Sequence, residues 1–104
     1  MQTPEGKVKE KVKDVLRSLG AYYVMPVTGG YGASGAPDFI VCYKGRFVGI
    51  ECKAKRGRLT PLQRMNFDAI VCAGGETFLA DETSVSTLRD FLIVVPNKES
   101  NDET

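Results

Sequence analysis

The stretch Pro37-Asp-Phe-Ile-Val-Cys-Tyr43-Lys-Gly-Arg46-Phe-Val-Gly-Ile-Glu-Cys-Lys53 contains two apolar runs, each with an ionisable residue at its outer end. Both runs are rich in β-branched and aromatic residues, and Lys44-Gly45-Arg46 between them is polar, so they read as two strands of a hairpin. If Lys44-Gly45 is a two-residue loop, Tyr43 pairs with Arg46 and Asp38 falls opposite Glu51. Side chains alternate along a strand, which puts Lys53 on the same face as Glu51. Two carboxylates then stand roughly 5 Å apart at their Cβ atoms, with an ammonium beside them. A slip of one residue would send them to the other face. Opposed like charges on a sheet are destabilising and raise each other's pKa. A hard divalent cation such as Mg²⁺, which takes oxygen ligands and is commonly held by one or two carboxylates plus phosphates, reverses both effects. The plain alternative is a solvated hairpin end with a Lys–Glu ion pair. The flanking sequence favours a metal site that works on a phosphodiester.

On the downstream side, Lys53-Ala-Lys-Arg-Gly-Arg58 is basic, and Thr60-Pro61 has the form of an N-cap with proline at the first helical position. The helix it opens runs to about Ala73, where Gly74-Gly75 ends it. Gln63, Asn66, Phe67 and Ile70 share one face of that helix, so Gln63 can look over the hairpin. Glu76–Ala80 reads as a fourth strand, and Ser84 to about Val95 as a closing helix with Val85, Leu88 and Leu92 inward. Pro96 stops it, and 97–104 is a polar tail.

On the upstream side, Gly29-Gly-Tyr-Gly-Ala-Ser-Gly35 permits close backbone approach to a ligand or is simply a loop, and Tyr31 reads either as a base-stacking residue or as an ordinary surface aromatic. Tyr22–Val27 reads as a first strand with Pro26 marking an edge or break. Before it, Val8, Val12, Val15, Leu16 and Leu19 form one apolar stripe at helical spacing, ended by Gly20. Glu5 falls within the angular range of that stripe, whereas Glu10 and Asp14 point away among Lys7, Lys9, Lys11 and Lys13. An acid on a buried face meets a partner or a metal, which makes Glu5 the first-helix candidate. The order is αβββαβα, a mixed sheet flanked by helices, and residues 1–96 make one domain.

A chain of 104 residues with 42% hydrophobic residues supports one core. No apolar run reaches membrane-spanning length and no signal-peptide pattern appears, so a cytoplasmic setting is expected. There is no histidine, which excludes imidazole metal sites and histidine acid–base chemistry; three scattered cysteines lack zinc spacing, and free thiols suit a reducing compartment. Net charge is only +1, but residues 44–67 carry +6 and residues 68–104 carry −6. Lys44, Arg46, Lys53, Lys55, Arg56, Arg58 and Arg64 form the basic block, and a phosphate backbone is its natural partner.

Gly35-Ala-Pro-Asp38, Gly49-Ile-Glu-Cys-Lys53 and Leu59-Thr-Pro-Leu-Gln63 resemble the PD-(D/E)xK nuclease superfamily, and more closely its VRR-NUC branch of virus-type replication–repair nucleases. The resemblance spans about residues 5 to 90. Cys52 stands where a larger aliphatic residue is common, and Ala36 where an arginine is frequent. The resemblance implies a Mg²⁺- or Mn²⁺-dependent DNA endonuclease in which Asp38, Glu51, the Ile50 or Cys52 backbone carbonyl and Glu5 hold metal. Lys53 then positions water or steadies phosphate, and Gln63 borders the site. Lone-domain viral members resemble Holliday-junction resolvases and act as homodimers. The implied setting is a homodimer on branched, four-way DNA in a bacterial cytoplasm during phage infection. A flap or duplex nuclease or nickase, a non-catalytic DNA-binding module and a subunit-interaction domain are the rival readings.

Overall fold

The structure, a computed structural model, describes residues 2–27 and 35–94. Tyr31 and the 97–104 tail lie outside the described residues. The first helix, α1 (Pro4–Leu19), starts where the Thr3 hydroxyl accepts the Gly6 N–H at 3.0 Å and Pro4 supplies a preset φ. It stops at Gly20, whose φ of 71° is the left-handed conformation that glycine tolerates best. Four strands follow in sheet order β1-β2-β3-β4: β1 (Tyr22–Val24), β2 (Phe39–Tyr43), β3 (Arg46–Cys52) and β4 (Glu76–Ala80). The first three are antiparallel in sequence order, and β4 pairs parallel to β3. A parallel pair needs a crossover, which α2 (Pro61–Cys72) provides. One 3₁₀ turn (Val85–Thr87) leads into α3 (Leu88–Ile93).

The hairpin has the expected register. Tyr43 pairs with Arg46 and Phe39 with Ile50. Lys44 (φ 52°) and Gly45 (φ 80°) are both left-handed, as a two-residue loop matched to strand twist requires. Period-two alternation then sorts β3 between two layers. Val48, Ile50 and Cys52, with Phe39 and Val41 of β2, are buried with Val8, Val12 and Leu16 of α1 and Leu88 and Leu92 of α3. Gly49 and Glu51 face α2. At Gly49 the helix comes so close that a Cβ would stand 2.7 Å from Ile70 Cδ1 and 3.0 Å from Pro37 Cγ.

Some elements differ from the sequence expectation. β1 ends at Val24 rather than Val27, where its pairing with Ile40 is the last of the ladder. The closing helix begins as a 3₁₀ turn and reaches Ile93. Arg46, a DNA-contact candidate in the sequence, is engaged within the fold. Its guanidinium makes two 2.8 Å bonds to the Glu76 carboxylate and donates to the carbonyls of Phe91, Leu92 and Val94 at the end of α3. Arg46 therefore ties the hairpin to β4 and α3.

Candidate active site

The β2–β3 register carried one step past Phe39 and Ile50 brings Asp38 against Glu51, at the outer end of the hairpin. The ladder stops there because residue 37 is a proline at the entrance to β2. The Cys52 N–H, on the β2 side of β3, donates instead to Asp38 Oδ2 at 2.9 Å. That bond fixes the Asp38 carboxylate beside Glu51.

Glu51 is 3% exposed, the one buried charged residue among those described. Its Oε2 accepts from Gln63 Nε2 at 3.0 Å and lies 3.8 Å from Lys53 Nζ. Its Oε1 is buried and has no hydrogen-bond partner. Burial, reinforced by the Asp38 charge, pushes the Glu51 carboxyl up to about 7, and nearby Lys53 only partly offsets this. A buried carboxylate oxygen with no donor, next to a second carboxylate, is the arrangement a cation relieves.

Gln63 holds Glu51 through a local device. Thr60 caps α2 by accepting the Gln63 N–H at 3.1 Å, and Gln63 Oε1 accepts the Thr60 N–H at 2.9 Å. With its oxygen engaged by the cap, the amide turns its nitrogen to Glu51. One side chain thus starts the helix and orients the acid. Cys52 contributes only backbone, since its side chain lies in the core. Burial and the Asp38 and Glu51 charges push its thiol up to about 12, which leaves it protonated and inert.

Glu5, in the first turn of α1, reaches the site only as a charge that raises the Glu51 pKa. Its Oε2 lies 3.7 Å from Lys9 Nζ, and the same ammonium is 3.6 Å from Asp38 Oδ1. Sequence reasoning left Lys9 among solvated helix lysines. The available signal was its i,i+4 spacing from Glu5. Among the described residues, no group of three or more His, Cys, Asp or Glu could hold a metal ion. Asp38 and Glu51 are a pair of carboxylates, and a Mg²⁺-like ion that completes its shell with a carbonyl, water and phosphate would suit such a pair.

Past Cys52, Lys53 extends the pairing to β4 through its N–H to Ala80 O at 2.9 Å. The chain then turns at Lys55 (φ 54°) and Arg56 (φ 62°), closed by the Gly57 N–H to Ala54 O at 2.9 Å. Two successive non-glycine residues in the left-handed region cost about 1–2 kcal/mol each. The Glu82 carboxylate, accepting the Lys55 N–H at 3.0 and 3.1 Å, holds the turn. It presents Lys55 and Arg56, both exposed, directly after Lys53. Arg58 and Arg64 are also exposed at this end of the molecule. Lys44 and Arg46 are not part of this group: Arg46 and Glu51 are separated by about 17 Å along β3 at ~3.4 Å per residue.

The chain is similar in fold to a solved structure described as a VRR_NUC domain, with a TM-score of 0.70 and 23% sequence identity over 86% of this chain and 97% of that chain. At this identity the likeness establishes the fold. No family model matches the sequence, and neither does any curated protein.

Proposed function

We infer that this protein is a metal-dependent DNA endonuclease. The observation that carries this reading is the buried Glu51 carboxylate. One oxygen is braced by Gln63 and Lys53, the other is unpartnered, and Asp38 stands beside it. The fold likeness to a VRR_NUC domain supports it.

Asp38 and Glu51 would hold Mg²⁺ or Mn²⁺. The Cys52 carbonyl leaves β3 on the same side as the N–H bonded to Asp38, which fits it as a further ligand. A divalent cation bound there supplies Lewis-acid stabilisation of phosphate charge and a lowered pKa for water. The chain's own residues do the rest. Lys53, mostly buried beside Glu51, offers an ammonium to a non-bridging phosphate oxygen or an attacking water. Gln63 keeps Glu51 oriented, and the turn carrying Lys55 and Arg56, with Arg58 and Arg64, receives the DNA backbone.

The finer reading is a Holliday-junction resolvase that acts as a homodimer in the cytoplasm of a phage-infected cell. Each chain carries one such site, and symmetric cutting of two strands takes two. No helix among the described residues is long and apolar enough to cross a membrane. The decisive experiment is cleavage of a four-way junction beside linear duplex, flap and single-stranded DNA, in Mg²⁺, Mn²⁺ or EDTA, by wild type and Lys53→Ala. Paired cuts on the junction, abolished by EDTA and reduced at least a hundredfold in Lys53→Ala, are expected. Metal-dependent cutting of the other substrates would keep the nuclease and remove the resolvase. DNA binding with no cleavage in any metal would replace both with a binding module.

A further inference from the structure

Lys9 is the ammonium at the acid cluster to which the proposed chemistry gives no task. Its ammonium stands 3.7 Å from Glu5 Oε2 and 3.6 Å from Asp38 Oδ1, joining the first turn of α1 to the entrance of β2. Both distances are those of ion pairs rather than hydrogen bonds, and the side chain is one-third exposed, so the contact can be exchanged. The cluster then contains three carboxylates, Glu5, Asp38 and Glu51, against two ammoniums, Lys9 and Lys53. Lys53 and Gln63 serve Glu51 Oε2, while Lys9 serves Asp38 Oδ1. The unpartnered Glu51 Oε1 and the Lys9-paired Asp38 Oδ1 are therefore the oxygens open to a cation, and one of them already holds a positive charge.

We propose that Lys9 is a built-in counter-ion that competes with a divalent cation for Asp38: it pairs with Asp38 and Glu5 until the cation displaces it, and its released ammonium then takes a DNA phosphate. The inference rests on the metal-dependent reading given above. Space for the second position exists. A cleft of about 490 Å³ opens beside Lys9, between the start of α1 and the turn at Ala54 and Lys55. Lys9, Lys55 and Glu5 line it, so a phosphate there would meet two cations against one carboxylate. Lys9 thereby couples cation entry to strand binding. It raises the cation concentration needed to fill the site and strengthens the hold on DNA once the site is filled.

Mn²⁺ titration by calorimetry, without DNA, separates this role from a surface ion pair. A doubly charged ion roughly 6 Å from an ammonium in water-like screening is repelled by enough to weaken binding about tenfold. Lys9→Met is therefore expected to bind Mn²⁺ about tenfold more tightly than wild type, with Lys9→Arg close to wild type. Lys13→Met, which removes an ammonium paired with Glu10 at 3.2 Å further along α1, controls for net charge and is expected to match wild type. Duplex affinity of Lys9→Met in Ca²⁺ is expected to fall severalfold. Equal or weaker Mn²⁺ binding by Lys9→Met, or an equal gain in Lys13→Met, would overturn the counter-ion role while leaving the metal site intact. Absence of Mn²⁺ binding by wild type would overturn the metal-dependent reading and this inference together.

Discussion

At the scale of single residues, Glu51 sets function against stability. Its folded-state pKa of about 7 lies above the 4.5 of the free side chain, so the folded protein binds this proton more tightly than the unfolded chain does. The stabilisation is fully present below about pH 4.5 and is lost as pH rises through about 7. The shift corresponds to an order of about 3 kcal/mol. In EDTA the wild type is therefore expected to melt several degrees lower at pH 8 than at pH 5 from this group alone. Glu51→Gln, which keeps the shape and removes the ionisation, is expected to flatten that dependence and to melt above wild type at pH 8. Millimolar Mg²⁺ should raise the wild-type melting temperature at pH 8 and leave the variant unmoved. Parallel melting curves for the two proteins across this range would show that the Glu51 charge carries no strain. The variant should be inactive under every condition.

At the scale of elements, the active site depends on how closely α2 approaches β3. Gly49 allows that approach, and Ile70 and Pro37 pack where a side chain at 49 would otherwise project. Gly49→Ala puts a methyl 2.7 Å from Ile70 Cδ1 and 3.0 Å from Pro37 Cγ, so either the end of the Ile70 side chain turns aside or α2 retreats and takes Gln63 with it; retreat is the expected outcome. A loss of about 1–3 kcal/mol in chemical denaturation is expected. Activity should fall more than stability explains, because Glu51 loses its donor. Unchanged activity in the folded variant would mean that Ile70 absorbs the methyl with α2 in place, or that the Gln63 contact is dispensable. The elements that place this contact were legible in the sequence because their signals are local. A two-residue loop sets the hairpin register, alternation sets the faces, and Thr60-Pro61 with Gln63 spells the cap. What escaped the reading was tertiary. Nothing near Arg46 announces a carboxylate thirty positions on, or three carbonyls at the end of α3. Lys9 looks like its neighbours on α1 until β2 brings Asp38 to it. Charge density along the chain marks a basic block but cannot tell a cation committed to the fold from one left for a ligand.

At the scale of the whole molecule, Lys55, Arg56, Arg58 and Arg64 of the basic block are exposed at the end of the sheet that carries Glu51, while Lys44 lies at the hairpin tip beside the Tyr43 ring. If DNA lies across the active-site end, its affinity should depend on salt through Lys55, Arg56, Arg58 and Arg64, and not through Lys44. Removing cations by alanine would confuse charge with folding at Lys55 and Arg56, whose left-handed backbone suits alanine poorly. Asn-Gly is the pair most at home in a turn with two left-handed residues. The double variant Lys55→Asn, Arg56→Gly should therefore keep or slightly raise stability while removing two phosphate contacts. Each contact contributes about 0.9 to the slope of log affinity against log salt, so that slope is expected to fall by about 2 in the double variant. Lys44→Ala should leave it unchanged. Binding isotherms on one duplex at several salt concentrations, in Ca²⁺, measure both. A slope that stays the same in the double variant but drops in Lys44→Ala would place DNA at the hairpin tip, about 17 Å along β3 from the acid pair at ~3.4 Å per residue, too far for those carboxylates to act on it. A drop confined to the double variant would leave the strained turn with a reason to exist: it spends backbone energy to point two cations at the strand that Asp38 and Glu51 await.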